Sequence, residues 1–244
     1  SQLHTGSHFM IAVTNENKLY SWGYNYEGQL GNGNLNPSGV PFEINIGAQN
    51  VSRVVTAQLS AYILTKEGKV YGWGANNYGQ LTGVDVRKMT PTLIEGAVAL
   101  KFTKIAAGGH HVLALTEDNI LYSWGRNNQG QLGDGTKVTK TSPVAVNMTA
   151  FDPNEKVIQI SVGPASSVAL TNEGNLYEWG YHVAANGAST SATIPFRLPT
   201  TFGQDKLVKI YSLNQIIGRT KSGKYYAWGQ NNYGTSLFTC LSLL

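Results

Sequence analysis

The sequence predicts an all-β fold, a β-propeller of four-stranded blades, and two periodic features predict it. Five tryptophans, each followed by glycine, stand at Trp22, Trp73, Trp124, Trp179 and Trp228, spaced 51, 51, 55 and 49 residues apart. A threonine lies eight residues before each one: Thr14, Thr65, Thr116, Thr171 and Thr220. One supersecondary unit is therefore used five times. The third feature is an absence: no segment shows convincing helical amphipathicity, which argues against a helical solenoid of the same period.

The third unit shows the strands most clearly. Lys101 to Ala107 alternates polar and apolar residues, as a half-buried strand does. Gly108-Gly109 breaks it. His111 to Thr116 forms the second strand, Glu117-Asp118-Asn119 the hairpin turn, and Ile120 to Trp124 a third strand rich in β-formers. The glycine-rich stretch from Gly125 to Gly135 is a loop. A short fourth strand follows near Ser142 to Val146, introduced by Pro143. Pro41, Pro91 and Pro195 mark the same point in other units.

The chain reads as a single domain, residues 1–244, with units at roughly 1–49, 50–99, 100–154, 155–204 and 205–244. Almost nothing precedes Gly6, so the first unit is expected to lack its first strand. The tail, Leu237 to Leu243, alternates like a strand. It is expected to pair beside the first unit and help close the body.

Composition narrows the function classes. Hydrophobic residues make up 41% and charged residues only 13%, which suits short strands joined by tight turns. Net charge is +4. It has an address: residues 1–200 carry 13 basic and 13 acidic side chains, whereas Lys206, Lys209, Arg219, Lys221 and Lys224 face only Asp205. This basic patch is too small for direct nucleic-acid binding, but an acidic protein surface or chromatin is an alternative partner. Cys240 is the only cysteine, which fits a reducing, intracellular setting, cytoplasmic or nuclear. No run of apolar residues is long enough to cross a bilayer as a helix. His4, His8, His110 and His111 lack the further ligands of a zinc site, so neither metal nor cofactor is expected.

The string Trp-Gly-x-Asn-x-x-Gly-Gln-Leu-Gly occurs in full at Trp22–Gly31 and Trp124–Gly133, and up to Thr82 in the second unit. Together with the Gly-x-x-His-x-x-Ala-Leu-Thr pattern from Gly108 to Thr116, it resembles the repeat of the regulator of chromosome condensation family. The fourth and fifth units depart from the motif after Trp179-Gly180 and after Gly234. The resemblance implies a rigid propeller that presents loops to a protein partner. Its family includes an exchange factor for the small GTPase Ran, bacterial effectors delivered into host cells, and propellers that inhibit β-lactamases through one face.

The five tryptophans are expected to be packing pins, each N–H finding a carbonyl. The candidate partner contacts lie in the turn between the first and second strands of each unit: Ser7-His8-Phe9, Gln58-Leu59-Ser60, Gly109-His110-His111, Pro164-Ala165-Ser166 and Leu213-Asn214-Gln215. In the family such turns lie near the central axis, and the Ran exchange factor places carboxylates there. None of these fifteen residues is Asp or Glu, so exchange chemistry does not carry over residue by residue. His8, Gln58, His110 and Asn214 are the exposed candidates, with Tyr78 from the loop after the second tryptophan. His111 is read as structural. The first reading is engagement of a Ran-type GTPase as regulator or exchange factor by a monomeric chain. The alternative is a non-catalytic scaffold subunit or inhibitor.

Overall fold

The computed structural model describes residues 2–47, 50–83, 86–97, 99–183, 189–199, 205–212, 215–229 and 240–241. These residues form five separate four-stranded antiparallel sheets, each running in strict chain order. The first comprises β1 (Gln2–Thr5), β2 (Phe9–Val13), β3 (Leu19–Gly23) and β4 (Ser38–Ile44). The second comprises β5 (Val51–Thr56), β6 (Ser60–Thr65), β7 (Val70–Ala75) and β8 (Arg87–Leu93). The third comprises β9 (Phe102–Ala107), β10 (His111–Thr116), β11 (Leu121–Gly125) and β12 (Lys140–Ala145). The fourth holds β13 (Val157–Val162), β14 (Ser166–Thr171), β15 (Leu176–Val183) and β16 (Ser189–Arg197). The fifth holds β17 (Leu207–Ser212), β18 (Gln215–Thr220), β19 (Tyr225–Gly229) and β20 (Cys240–Leu241).

The first strands β1, β5, β9, β13 and β17 neighbour one another in sequence, so they line the inner side of the array. Between successive blades lies an apolar layer. Ile11, Leu19 and Leu30 of the first blade meet Val54, Ile63 and Trp73 of the second. Tyr62, Leu64 and Leu81 meet Ile105, Val112 and Trp124. Leu113, Leu115 and Leu121 meet Ile160, Ala169 and Trp179. Val168, Leu170 and Leu176 meet Leu207, Ile210 and Ile216. Period-two alternation divides each strand between these two faces. The second strands of the second, third and fourth blades are buried almost throughout because both their faces are covered.

Three expectations are corrected. The first blade has its inner strand: Gln2–Thr5 pairs with β2 through Gln2↔Val13 and Thr5↔Met10. The four residues before Gly6 suffice because Gly6 turns tightly, its N–H donating to Phe9 O at 2.9 Å. The described part of the tail, Cys240–Leu241, pairs with Tyr226 and Tyr225 of β19, and among the described residues no strand of the fifth unit joins the first sheet. The local antiparallel partner is close in sequence and costs less loop entropy than a partner over two hundred residues away. The prolines do not start the fourth strands either. Pro41, Pro91, Pro143 and Pro195 lie inside β4, β8, β12 and β16, which are outermost in their sheets. An edge strand tolerates the missing N–H.

Candidate protein-interaction face

The repeat motif is a wiring diagram for the loop that follows each third strand. Asn127 is fully buried at its centre. Its Oδ1 accepts the Leu132 N–H at 2.9 Å, and its Nδ2 donates to Asp134 Oδ1, Thr136 O and Val138 O, each at 3.1 Å. Asn25 does the same for Leu30 N–H, Asn34 O and Asn36 O. Asn76 accepts from Leu81 N–H at 2.7 Å and donates to Thr82 O at 2.9 Å. Gln29, Gln80 and Gln131 each accept a backbone N–H two residues upstream at 2.9 Å. The leucines that follow are completely buried.

The tryptophan of one blade then locks onto the loop of the blade before it. Trp73 Nε1 donates to Gln29 O at 3.0 Å, and Trp124 Nε1 to Gln80 O at 2.9 Å. Gly31 closes this contact: its φ is +67°, and a Cβ there would lie 2.9 Å from Trp73 Nε1. Trp179 is equally buried, yet its Nε1 has no partner. The equivalent carbonyl, Gln131 O, instead accepts Ser167 Oγ at 2.8 Å. Because that hydroxyl proton is committed, His111 Nε2 is the donor in its 2.9 Å contact with Ser167 Oγ. Burial depresses the His111 pKa to about 3, so the ring is neutral and structural, as expected. Trp22 is only half-buried. The backbone of Trp228 lies in β19.

The glycine after each tryptophan builds the candidate face. A Cβ on Gly125 would lie 2.5 Å from His110 O, and its φ is +101°. Only glycine lets the end of the third strand press against the turn between the first two. Arg126 N–H consequently donates to His110 O at 2.9 Å, as Tyr24 N–H does to His8 O and Ala75 N–H to Leu59 O. In the first four blades the residue after Trp-Gly is therefore seated on the turn between the first two strands of its own blade.

Through this seating the face acquires two aromatic clusters. In the first blade the exposed His8 ring lies 5.7 Å from Tyr24, which meets Tyr26 edge-on at 4.5 Å. At the next two blades Tyr78 reaches across to His110 at 4.8 Å, and the Arg126 guanidinium lies 5.1 Å over the Tyr78 ring. Burial, then the Arg126 charge, lowers the His110 pKa, and its Nδ1 is buried without a partner. Gln58 lies beside this cluster, 3.8 Å from where a Gly109 Cβ would sit. The nearby carboxylate, Glu27, is held by Arg87 at 3.6 Å.

The structure thus brings Gln58, Tyr78 and His110 together and gives His8 its own aromatic partners. Asn214 lies outside the described residues. Of the basic candidates, Lys206 pairs with Glu173 and its backbone O accepts the Lys221 N–H at 2.9 Å, while Lys209 lies directly opposite Arg219 in the β17–β18 register. Sequence reasoning missed Arg126, whose signal was its position directly after Trp124-Gly125. It also missed Glu178, a carboxylate where Ser21 and Ser123 stand in other blades.

Comparisons with known proteins agree with this architecture. Regulator of chromosome condensation (RCC1) repeat models match residues 16–63, 67–115 and 118–170, and a second model of the same repeat matches 2–29 and 102–131. The human E3 ubiquitin-protein ligase HERC2 is 31% identical over 245 residues, covering 95% of this chain and 5% of its own length. The ultraviolet-B receptor UVR8 of Arabidopsis thaliana is 33% identical over 177 residues, covering 72% of this chain and 40% of the receptor. The chain therefore spans well under half the length of these relatives. Among solved structures, human WBSCR16 superposes with a TM-score of 0.84 at 25% identity, over 96% of this chain and 62% of that one. Prp20p of Saccharomyces cerevisiae, described with its binding to Gsp1p and histones, gives 0.69 at 25% identity, over 86% and 52%. With its repeat models covering most of its length and its blades built on the same wiring, the chain belongs to the RCC1 repeat family.

Proposed function

We propose that this chain is a protein-interaction module that engages a small GTPase of the Ran type through the face carrying His8, Gln58, Tyr78 and His110, in the cytoplasm or nucleus. The observation that carries the reading is the pair of aromatic clusters in equivalent loops, His8 with Tyr24 and Tyr26, and Tyr78 with His110 and Arg126. Tyrosine and arginine supply large contact area at low entropic cost and dominate binding energy at interfaces. The motif asparagines and glutamines hold these loops from within, so the face is preorganised. The Prp20p relative, described for its binding to Gsp1p and histones, supports a protein as the partner.

A non-catalytic scaffold or inhibitor is the second reading, favoured by the absence of Asp and Glu from all fifteen turn residues. Nucleotide release from a panel of small GTPases separates the two. A regulator with exchange activity accelerates release from one of them. Binding without acceleration supports the scaffold, and absence of binding to every member rejects the GTPase assignment.

A further inference from the structure

One position of the repeat carries charge where the fold asks for none. The residues after Trp-Gly are Tyr24, Ala75, Arg126, Tyr181 and Gln230. What the fold uses there is the backbone. In the first four blades its N–H donates to the turn carbonyls of His8, Leu59, His110 and Ala165 at 2.9 Å. Any side chain can accompany that bond, so the blade does not call for an arginine. The second and third blades, which meet at Arg126, each pack against a described blade on both sides.

The surroundings of Arg126 hold its charge in place without neutralising it. The half-buried guanidinium lies 5.1 Å over the Tyr78 ring, a contact that occupies none of its N–H donors. Among the described residues it has no carboxylate partner. Tyr78 is fixed by its own N–H, which donates to Gln80 Oε1 at 2.9 Å. His110 completes the cluster, 4.8 Å from Tyr78. Burial, then the Arg126 charge, keeps its ring neutral by lowering its pKa. His110 Nδ1 is buried without an acceptor, so the single ring proton belongs on Nε2.

We propose that Arg126 is the specificity-determining residue of the loop face, and that it takes an aspartate or glutamate side chain of a protein partner between Tyr78 and His110, with the His110 ring supplying a second N–H. The proposal rests on the reading of this face as a protein-interaction surface and adds the charge of the group it recognises. A planar guanidinium fork matches the two oxygens of a carboxylate. A phosphate dianion fits less well, because it calls for a cluster of cations and this cluster holds one.

The test screens the full chain against a one-bead heptapeptide library containing Asp, Glu, Asn, Gln, Lys and phosphoserine, and the retained peptides are sequenced. Wild type is expected to enrich Asp or Glu over Asn and Gln by about tenfold or more at one position, the scale of a hydrogen bond to a charged group. Arg126→Gln is expected to lose that preference and Arg126→Glu to exchange it for Lys, both with thermal unfolding like wild type. No acidic preference in wild type, the same preference in Arg126→Gln, or stronger enrichment of phosphoserine would each overturn the proposal. A nucleotide-free Ran-type GTPase separates it from the broader reading. Equal binding of the GTPase by wild type and Arg126→Glu overturns the proposal and leaves the GTPase assignment standing. An acidic preference without binding to any small GTPase supports the proposal and rejects that assignment.

Discussion

The first three blades and the fourth solve the same packing problem with different parts. In the first and third, Ser21 and Ser123 donate to Leu30 O and Leu132 O at 2.6 Å, tethering the motif loop to its own third strand. The fourth blade replaces the loop with a long hairpin of β15 and β16, eight and nine residues. It has no leucine carbonyl to reach, and Glu178 occupies the serine position. The junctions differ too: Trp124 is hydrogen-bonded to the preceding loop and Trp179 is not. The sheets nonetheless keep the same strand order. Apolar contact between blades therefore carries the fold, while the motif loop adds rigidity. The candidate face lies on the blades that keep the loop.

The largest way to break this comparison is to remove the shared element. Trp124→Ala is expected to cost about 3–5 kcal/mol in denaturant unfolding, the usual range for a fully buried aromatic. Near-neutral stability would mean that the ring is not a packing pin.

Glu178 tests the fourth blade. Burial raises its pKa from 4.5 to about 7. The folded state therefore holds its proton where the unfolded chain releases it, so stability falls as pH rises from about 4.5 to about 7. At 1.36 kcal/mol per pH unit the full loss is roughly 3 kcal/mol. His111 acts oppositely, losing stability below about 6.5 because its folded pKa is about 3. The measurement is thus the difference in unfolding free energy between Glu178→Gln and wild type. That gap is expected to widen in favour of the variant across this window and to stay constant above it.

Asn127→Ala strips the third loop of its centre and strands the Leu132 N–H and three oxygens. A cost of about 2 kcal/mol is expected, with faster amide exchange confined to residues 127–138. The smallest test is the sharpest. Trp124→Phe deletes a made hydrogen bond and Trp179→Phe deletes an unmade one. The first is expected to cost about 1 kcal/mol more than the second.

Much of this was legible in the repeats. The strands around His111 to Thr116, the hairpin turns and the loops all follow from period and turn chemistry, and the asparagines proved to be internal wiring. What escaped was whatever depends on the neighbouring blade. Arg126 matters because Tyr78 of another blade lies beneath it, and no local pattern encodes that. The tail was misplaced because alternation identifies a strand but not its partner. The first strand was missed because four residues are too short for a periodic signal.

The central claim is that the loop face binds a protein while the motif behind it holds the fold. The most direct measurement is affinity for a nucleotide-free Ran-type GTPase, comparing wild type with the combined His8→Ala, Tyr78→Ala and His110→Ala variant at matched thermal stability. The account predicts binding by wild type and a loss of about 3 kcal/mol or more in the variant, on the scale of a few interface hot spots. Equal affinity in the two, or no binding by wild type, would contradict it.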